Sequence, residues 1–121
     1  MGDELTEKII GAAIEVHRIL GPGLLESIYE EALCHELSLR NIKFERQACV
    51  DIIYKGKIIK GQRLDLLVEE EVVIEIKSVQ NLPEVAVSQV LSYLKSTGLT
   101  RALLINFAGK TLMDGLKRIS L

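Results

Sequence analysis

The chain has 121 residues, which fits one domain spanning 1–121, and its formal net charge of −2 weighs against nucleic-acid binding, since phosphate contacts need clustered Lys and Arg. Apolar residues make up 48%, enough for a packed core and too many for a disordered chain. No apolar run approaches the roughly 20 residues that span a bilayer, and the acidic start MGDELTEK lacks the apolar stretch of a signal peptide, so a cytoplasmic protein with no membrane partner is expected.

Residues 5–20 predict a helix, with Leu5, Ile9, Ala12, Ala13, Val16, Ile19 and Leu20 at helical spacing and Gly21-Pro22-Gly23 as its stop. A second helix is expected from Leu24 to Arg40, its apolar stripe being Leu24, Leu25, Ile28, Ala32, Leu33 and Leu39, with Tyr29 on the flank. After Asn41 the period changes to two: Val50, Ile52 and Tyr54 alternate with Cys49, Asp51 and Ile53, a half-buried strand. A hairpin turn at Lys55-Gly56-Lys57 leads into strands over 57–68 and 72–78, with Gly61 marking a bulge. Pro83 fits the first turn of a helix ending near Gly98, and 101–107 reads as a strand covered on both faces. The tail 110–121 is ambiguous. The order ααβββαβ describes an α/β fold with helices available to cover a sheet. Cys34 and Cys49 lack metal-type spacing and read as small core residues. His17 and His35 are too far apart to be a ligand pair, and His17 reads as structural.

The chemistry concentrates in RLDLLVEEEVVIEIKSV, residues 63–79. Residues two apart in a strand share a face, so Glu75 and Lys77 point one way, and Arg63 and Asp65 share a face opposite Leu64 and Leu66. A three-residue loop at Glu69-Glu70-Glu71 pairs Val68 with Val72, Leu66 with Ile74, and Asp65 directly with Glu75. Opposed residues of an antiparallel pair project from the same face with Cβ atoms about 5 Å apart. Two carboxylates so placed repel unless a cation lies between them, and Mg²⁺, which takes oxygen ligands and keeps several waters, is the natural candidate, with Mn²⁺ as its substitute. Lys77 beside them would orient water and offset negative charge on a phosphate, an arrangement suited to phosphodiester hydrolysis. A plain ion pair of Lys77 with Asp65 or Glu75 on a solvated face accounts for the same letters.

Asp65 followed by Glu75-Ile76-Lys77 resembles the D…ExK signature of PD-(D/E)xK nucleases, with Leu64 where the signature has proline. Gln89-Val90-Leu91-Ser92-Tyr93 resembles the QxxxY motif of the RecB-like branch, and GPGLLESIY at 21–29 is similar to the GxxExxY family through Gly23, Glu26 and Tyr29. RQ at 46–47, RLDLLVE at 63–69 and LLINF at 103–107 are similar to the same family. The resemblance implies a restriction-endonuclease-like αβββαβ core with a mixed central sheet. It implies Asp65, Glu75 and the Ile76 carbonyl as Mg²⁺ ligands, Lys77 as the catalytic lysine, and Glu26 as the acid contributed by the helix before the sheet, supporting a metal ligand or a second metal. Gln89 and Tyr93 would flank the metal or the substrate backbone.

The residues leave other readings open. Glu26 lies between Leu33 and Leu37 on the helical wheel, where a carboxylate is costly unless paired, yet a first-turn Glu is also favoured by the helix dipole. Gln89 and Tyr93 share a helix face, which a polar flank with a packed Tyr also explains. Arg63 would contact phosphate or bridge to Glu26. Lys55, Lys57 and Lys60 are cations within reach of a nucleic-acid backbone, or guards of a sheet edge. Three functions compete: a Mg²⁺-dependent nuclease on DNA or RNA, a non-catalytic nucleic-acid-binding or assembly module, and a hydrolase of another phosphorylated substrate, for which no phosphate loop speaks. So small and acidic a chain offers little binding surface alone, which favours a homodimer.

Overall fold

The computed structural model describes residues 3–121. Helix α1 (Glu4–Leu20) starts from a capping box: Asp3 Oδ1 accepts the Thr6 N–H at 2.8 Å, and Thr6 Oγ1 accepts the Asp3 N–H at 3.3 Å. Its buried residues Ile9, Ala12, Ala13 and Val16 follow the i, i+3, i+4, i+7 spacing expected of one face. Helix α2 covers Glu26–Leu39, and the expected stripe is only partly its buried face, with Leu33 in the core and Ala32 packed against it. Tyr29, Glu30, Leu33, Cys34 and Leu37 are buried, whereas Leu25, Ile28 and Leu39 are exposed. Tyr29 decides the rotation. Its ring stacks on Phe107 at 4.5 Å, and its hydroxyl donates to the Gly21 carbonyl and accepts from the Leu24 N–H. An aromatic ring with both polar valences met inside outweighs several apolar letters on the other side.

Strands β1 (Phe44–Tyr54), β2 (Lys57–Val68) and β3 (Val72–Lys77) form an antiparallel meander. Helix α3 (Glu84–Thr97) then crosses over to β4 (Arg101–Asn106), which runs parallel to β3, and a short 3₁₀ turn leads to β5 (Leu116–Ser120), antiparallel to β4. The sheet order is β1-β2-β3-β4-β5, a mixed sheet, with α1 and α2 on one face and α3 on the other. This is the expected α/β architecture, with β5 supplied by the tail that the sequence left open. No helix of the described residues is long and apolar enough to cross a membrane.

Two registers carry the rest. The loop at 69–71 pairs Val68 with Val72 and Leu66 with Ile74, as the loop length implies. Between β1 and β2, Val50 faces Gln62 but Ile52 faces Ile59, so β2 holds one extra residue, at the expected bulge, where Gly61 has φ +124°. The strict alternation expected along β2 fails, however. Leu64 packs against α3 while Leu66 packs against α1 and α2. On β1, Ala48 faces α3, whereas Arg46 reaches Glu30 and Glu31 on α2. Both strands therefore change faces at the level of Gln47 and Asp65, where Gln47 adopts a left-handed φ of 52°. Cys49 is exposed rather than part of the core, because its neighbours Ala48 and Val50 occupy the inward positions. His17 is structural, its Nε2 lying 2.9 Å from the Gly109 carbonyl.

The end of β4 is pinned by Asn106, whose side chain bonds both polar groups of the Val79 backbone and the Ala108 N–H. Gly115 passes so close that a Cβ there would lie 2.0 Å from the Asn106 carbonyl oxygen. Gly115→Ala is expected to destabilise the fold by roughly 3 kcal/mol, read as a lower denaturant midpoint at unchanged m.

Candidate metal centre

The β2–β3 ladder lasts only from Val68–Val72 to Leu66–Ile74. Beyond it, β2 stays with β1 and β3 stays with β4, so the two strands part and leave a fork. The direct ladder pairing expected of Asp65 and Glu75 is absent, yet the side chains meet by another route. Asp65 Oδ2 accepts the Ile76 N–H at 2.8 Å, and the Asp65 N–H points to Glu75 Oε1 at 3.4 Å. Lys77 Nζ lies 3.8 Å from Glu75 Oε2. Two carboxylates and an ammonium group thus converge, and the solvated-face ion pair is ruled out for Glu75, which is only 4% exposed.

Burial is the largest influence on both acids. It pushes the Glu75 carboxyl up to about 7, aided by the negative charge of Asp65 and opposed by Lys77. Asp65 is likewise raised, by burial and by Glu30, against the Ile76 N–H, Gln47 and Lys77. The site therefore carries more acid than its one lysine offsets. Among the described residues no group of three or more His, Cys, Asp or Glu is arranged to hold a metal ion. Two converging oxygen donors nevertheless suit an ion such as Mg²⁺, which takes few protein ligands and retains waters.

Gln89 and Tyr93 are bonded to each other on α3, and the Tyr93 hydroxyl lies within electrostatic reach of the acids. Gln89 Nε2 donates to the Tyr93 hydroxyl at 2.9 Å, and burial together with the charge of Glu75 and Asp65 raises the hydroxyl's pKa. Arg63 is exposed opposite Cys49 and makes no bridge to Glu26 among the described residues. Glu26 is exposed on the first turn of α2, without a hydrogen bond or ion pair to Asp65, Glu75 or Lys77 among the described residues. That turn nonetheless lies near the end of β3, because Ser78 Oγ donates to the Leu24 carbonyl at 2.7 Å.

Glu30, one turn beyond Glu26 on the same face of α2, is the acid that reaches inward. Arg46 Nη2 donates to its Oε2 at 3.0 Å. The Gln47 amide donates to Glu30 Oε1 at 3.1 Å and to Asp65 Oδ1 at 3.4 Å, bridging the two acids. Sequence reasoning missed both roles. The i, i+4 spacing of Glu26 and Glu30 was a signal for the first, whereas nothing in the letters announces a left-handed glutamine.

A mixed five-stranded sheet flanked by helices, with acids gathered where two central strands part, is a restriction-endonuclease-like arrangement. A model of the PD-(D/E)XK nuclease superfamily matches residues 3–119, and the chain belongs to that superfamily. No curated protein matches the chain significantly. Among solved structures it is similar to the crystal structure of SSO0001, at 21% identity and a TM-score of 0.47, over 99% of this chain and 79% of that one.

The raised acids have a consequence for stability. Burial pushes Glu75 up to about 7 in the folded chain from its ordinary 4.5, so between these values the folded chain binds more protons and stability falls as pH rises. The loss is expected to reach about 3 kcal/mol by pH 7. Glu75→Gln should flatten this part of the pH–stability curve in metal-free urea titrations, and an unchanged slope would contradict the assignment.

Proposed function

We propose that the chain is a divalent-metal-dependent nuclease that hydrolyses phosphodiester bonds in DNA or RNA. The observation that carries this reading is the meeting of half-buried Asp65 and buried Glu75 beside Lys77 at the β2–β3 fork. Asp65, Glu75 and the Ile76 carbonyl would hold Mg²⁺, or Mn²⁺ in its place. A residue in a strand turns its N–H and C=O to the same edge, and the Ile76 N–H is spent on Asp65, which favours a carbonyl facing the fork. The ion would supply Lewis-acid stabilisation of phosphate charge and lower the pKa of water.

The chain's own groups do the rest. The Lys77 ammonium offsets charge developing on the phosphate and orients the attacking water. Gln89 and Tyr93 line the α3 side and position the substrate backbone, and Arg63 contacts a phosphate from the exposed side of β2. Glu30, held by Arg46 and Gln47, is the helix acid nearest Asp65 in bonding, while Glu26 sits one turn outward as a carboxylate for the mouth of the fork. The finer placing in the GxxExxY group and the QxxxY branch is supported by Gly23, Glu26 and Tyr29 in sequence and by the Gln89–Tyr93 hydrogen bond. A cytoplasmic homodimer is the form in which we expect it to act.

The test is thermal melting with Mg²⁺ or Mn²⁺, paired with cleavage of single- and double-stranded substrates. Metal at about a hundredfold Kd stabilises by about 2.7 kcal/mol, or about 10 °C here. Asp65→Asn should abolish both the shift and cleavage while leaving the metal-free protein no less stable, since a repelling charge is gone. Cleavage that survives Asp65→Asn would sink the reading, and binding without turnover in the wild type would establish the non-catalytic module instead.

Gln47→Gly provides an independent check. Glycine adopts φ 52° freely, which compensates for the lost amide contacts, so the melting temperature should stay within about 3 °C. Metal affinity by calorimetry should fall about tenfold or more, as Glu30 and Asp65 lose their bridge.

A further inference from the structure

Beyond Ile52, which is half-buried beside α3, the β1–β2 hairpin ends in an arm for which neither the core nor the site accounts. After Val50–Gln62 the pairing continues through Ile52–Ile59, Ile53–Ile58 and Tyr54–Lys57, while β3 pairs with β2 only at residues 66–68. A two-stranded ribbon without a third strand is marginal in water. Even so, its tip leaves Ile53, Tyr54 and Ile58 at 72%, 60% and 57% exposure. Ile53 and Ile58 project from one face of the ribbon and Tyr54 from the other, and so much apolar exposure at a ribbon tip marks a segment that meets a partner.

Charge identifies the partner. Residues 51–63 hold Lys55, Lys57, Lys60 and Arg63 against the single acid Asp51, a net +3 in a chain whose total is −2. Lys60 is paired with Asp51 at 3.3 Å. Lys55 sits 5.6 Å above the Tyr54 ring, and neither it nor Lys57 nor Arg63 has an acidic partner among the described residues. A basic, aromatic-tipped ribbon on an acidic protein suits a polyanion with stackable faces. The bulge at Gly61 bends the ribbon between its tip and the fork, and bulges beside active sites re-aim what lies beyond them. Arg63 stands two residues before Asp65 on the same strand, between the arm's tip and the acids.

We propose that this arm grips a nucleic-acid strand, with Lys55 and Lys57 on phosphates at its tip, Arg63 on a phosphate further along towards the fork, and Tyr54 stacked on an unpaired base. The proposal rests on the nuclease reading for the choice of polymer, but its binding test does not depend on cleavage.

The test uses the full chain carrying Asp65→Asn, without divalent metal, and a fluorescent single-stranded oligonucleotide followed by anisotropy over a salt series. Lys55→Gln, Lys57→Gln and Arg63→Gln together should weaken binding at least about tenfold and lower the slope of log K against log salt by about 2, since each phosphate contact on a single strand contributes about 0.7. Tyr54→Ala should weaken binding about fivefold or more with the slope unchanged. Removing three charges elsewhere (Lys8→Gln, Lys110→Gln and Lys117→Gln) should leave the slope near that of the parent. Arm variants that melt like the parent yet bind with its affinity and slope would overturn the proposal. So would a Tyr54→Ala variant that turns a dimer into a monomer without changing oligonucleotide binding, because the arm would then be a contact between copies of the chain. If cleavage and metal shifts survive Asp65→Asn while the arm variants still lose binding, the site reading fails and the grip stands.

Discussion

The hydrogen bond from the Ile76 N–H to Asp65 Oδ2 is the contact on which the fork depends. A strand that leaves its neighbour abandons backbone donors, and a buried unpaired N–H costs about 1–3 kcal/mol. Here a carboxylate takes the donor, so β3 can continue beside β4 while β2 turns away with β1. The bond also fixes Asp65 against the Glu75 strand, because the side chain spans the gap that the ladder no longer closes. Opening the sheet and gathering the acids are thus one event. Without the parting there would be no room between the strands, and without Asp65 the parting would leave a bare donor.

Burial makes the same place unfavourable when empty of countercharge. Glu75 is almost fully enclosed, with Asp65 beside it and one ammonium group at a distance beyond a good hydrogen bond. The tyrosine on α3 and the glutamine on β1 add dipoles without positive charge. The centre is therefore unsaturated towards cations, a property that a structural ion pair would not have. Arg46 satisfies Glu30 on the helix side, so the unmet charge stays at the fork.

Much of this was legible in the letters. Period-two patterning and loop length gave the register of β2 against β3, and residue spacing brought Asp65, Glu75 and Lys77 together. The route differed, however, because strict alternation assumes a regular ladder and the ladder stops one residue short of Asp65. Alternation also failed at Leu64 and Leu66, where a left-handed Gln47 and a face change intervene that no hydrophobic pattern encodes. The buried face of α2 is only partly legible, with Leu33 on it and Leu25, Ile28 and Leu39 off it, because counting apolar residues ignores how well one buried tyrosine can be satisfied. β5 buries little beyond Ile119, so its sequence carries almost no strand signal and only the free edge of β4 reveals its place.

The connections differ in how early they can form. β1, β2 and β3 are joined by tight turns of two and three residues, whereas β3 and β4 are joined through a whole helix. Short loops close at lower entropic cost and sooner than long crossovers. Loop lengths alone would bring the acids on β2 and β3 together before the crossover closes, so their mutual repulsion would bear on assembly as well as on the finished molecule. Protons or divalent ions that quench it would act on the speed of folding before they act on chemistry.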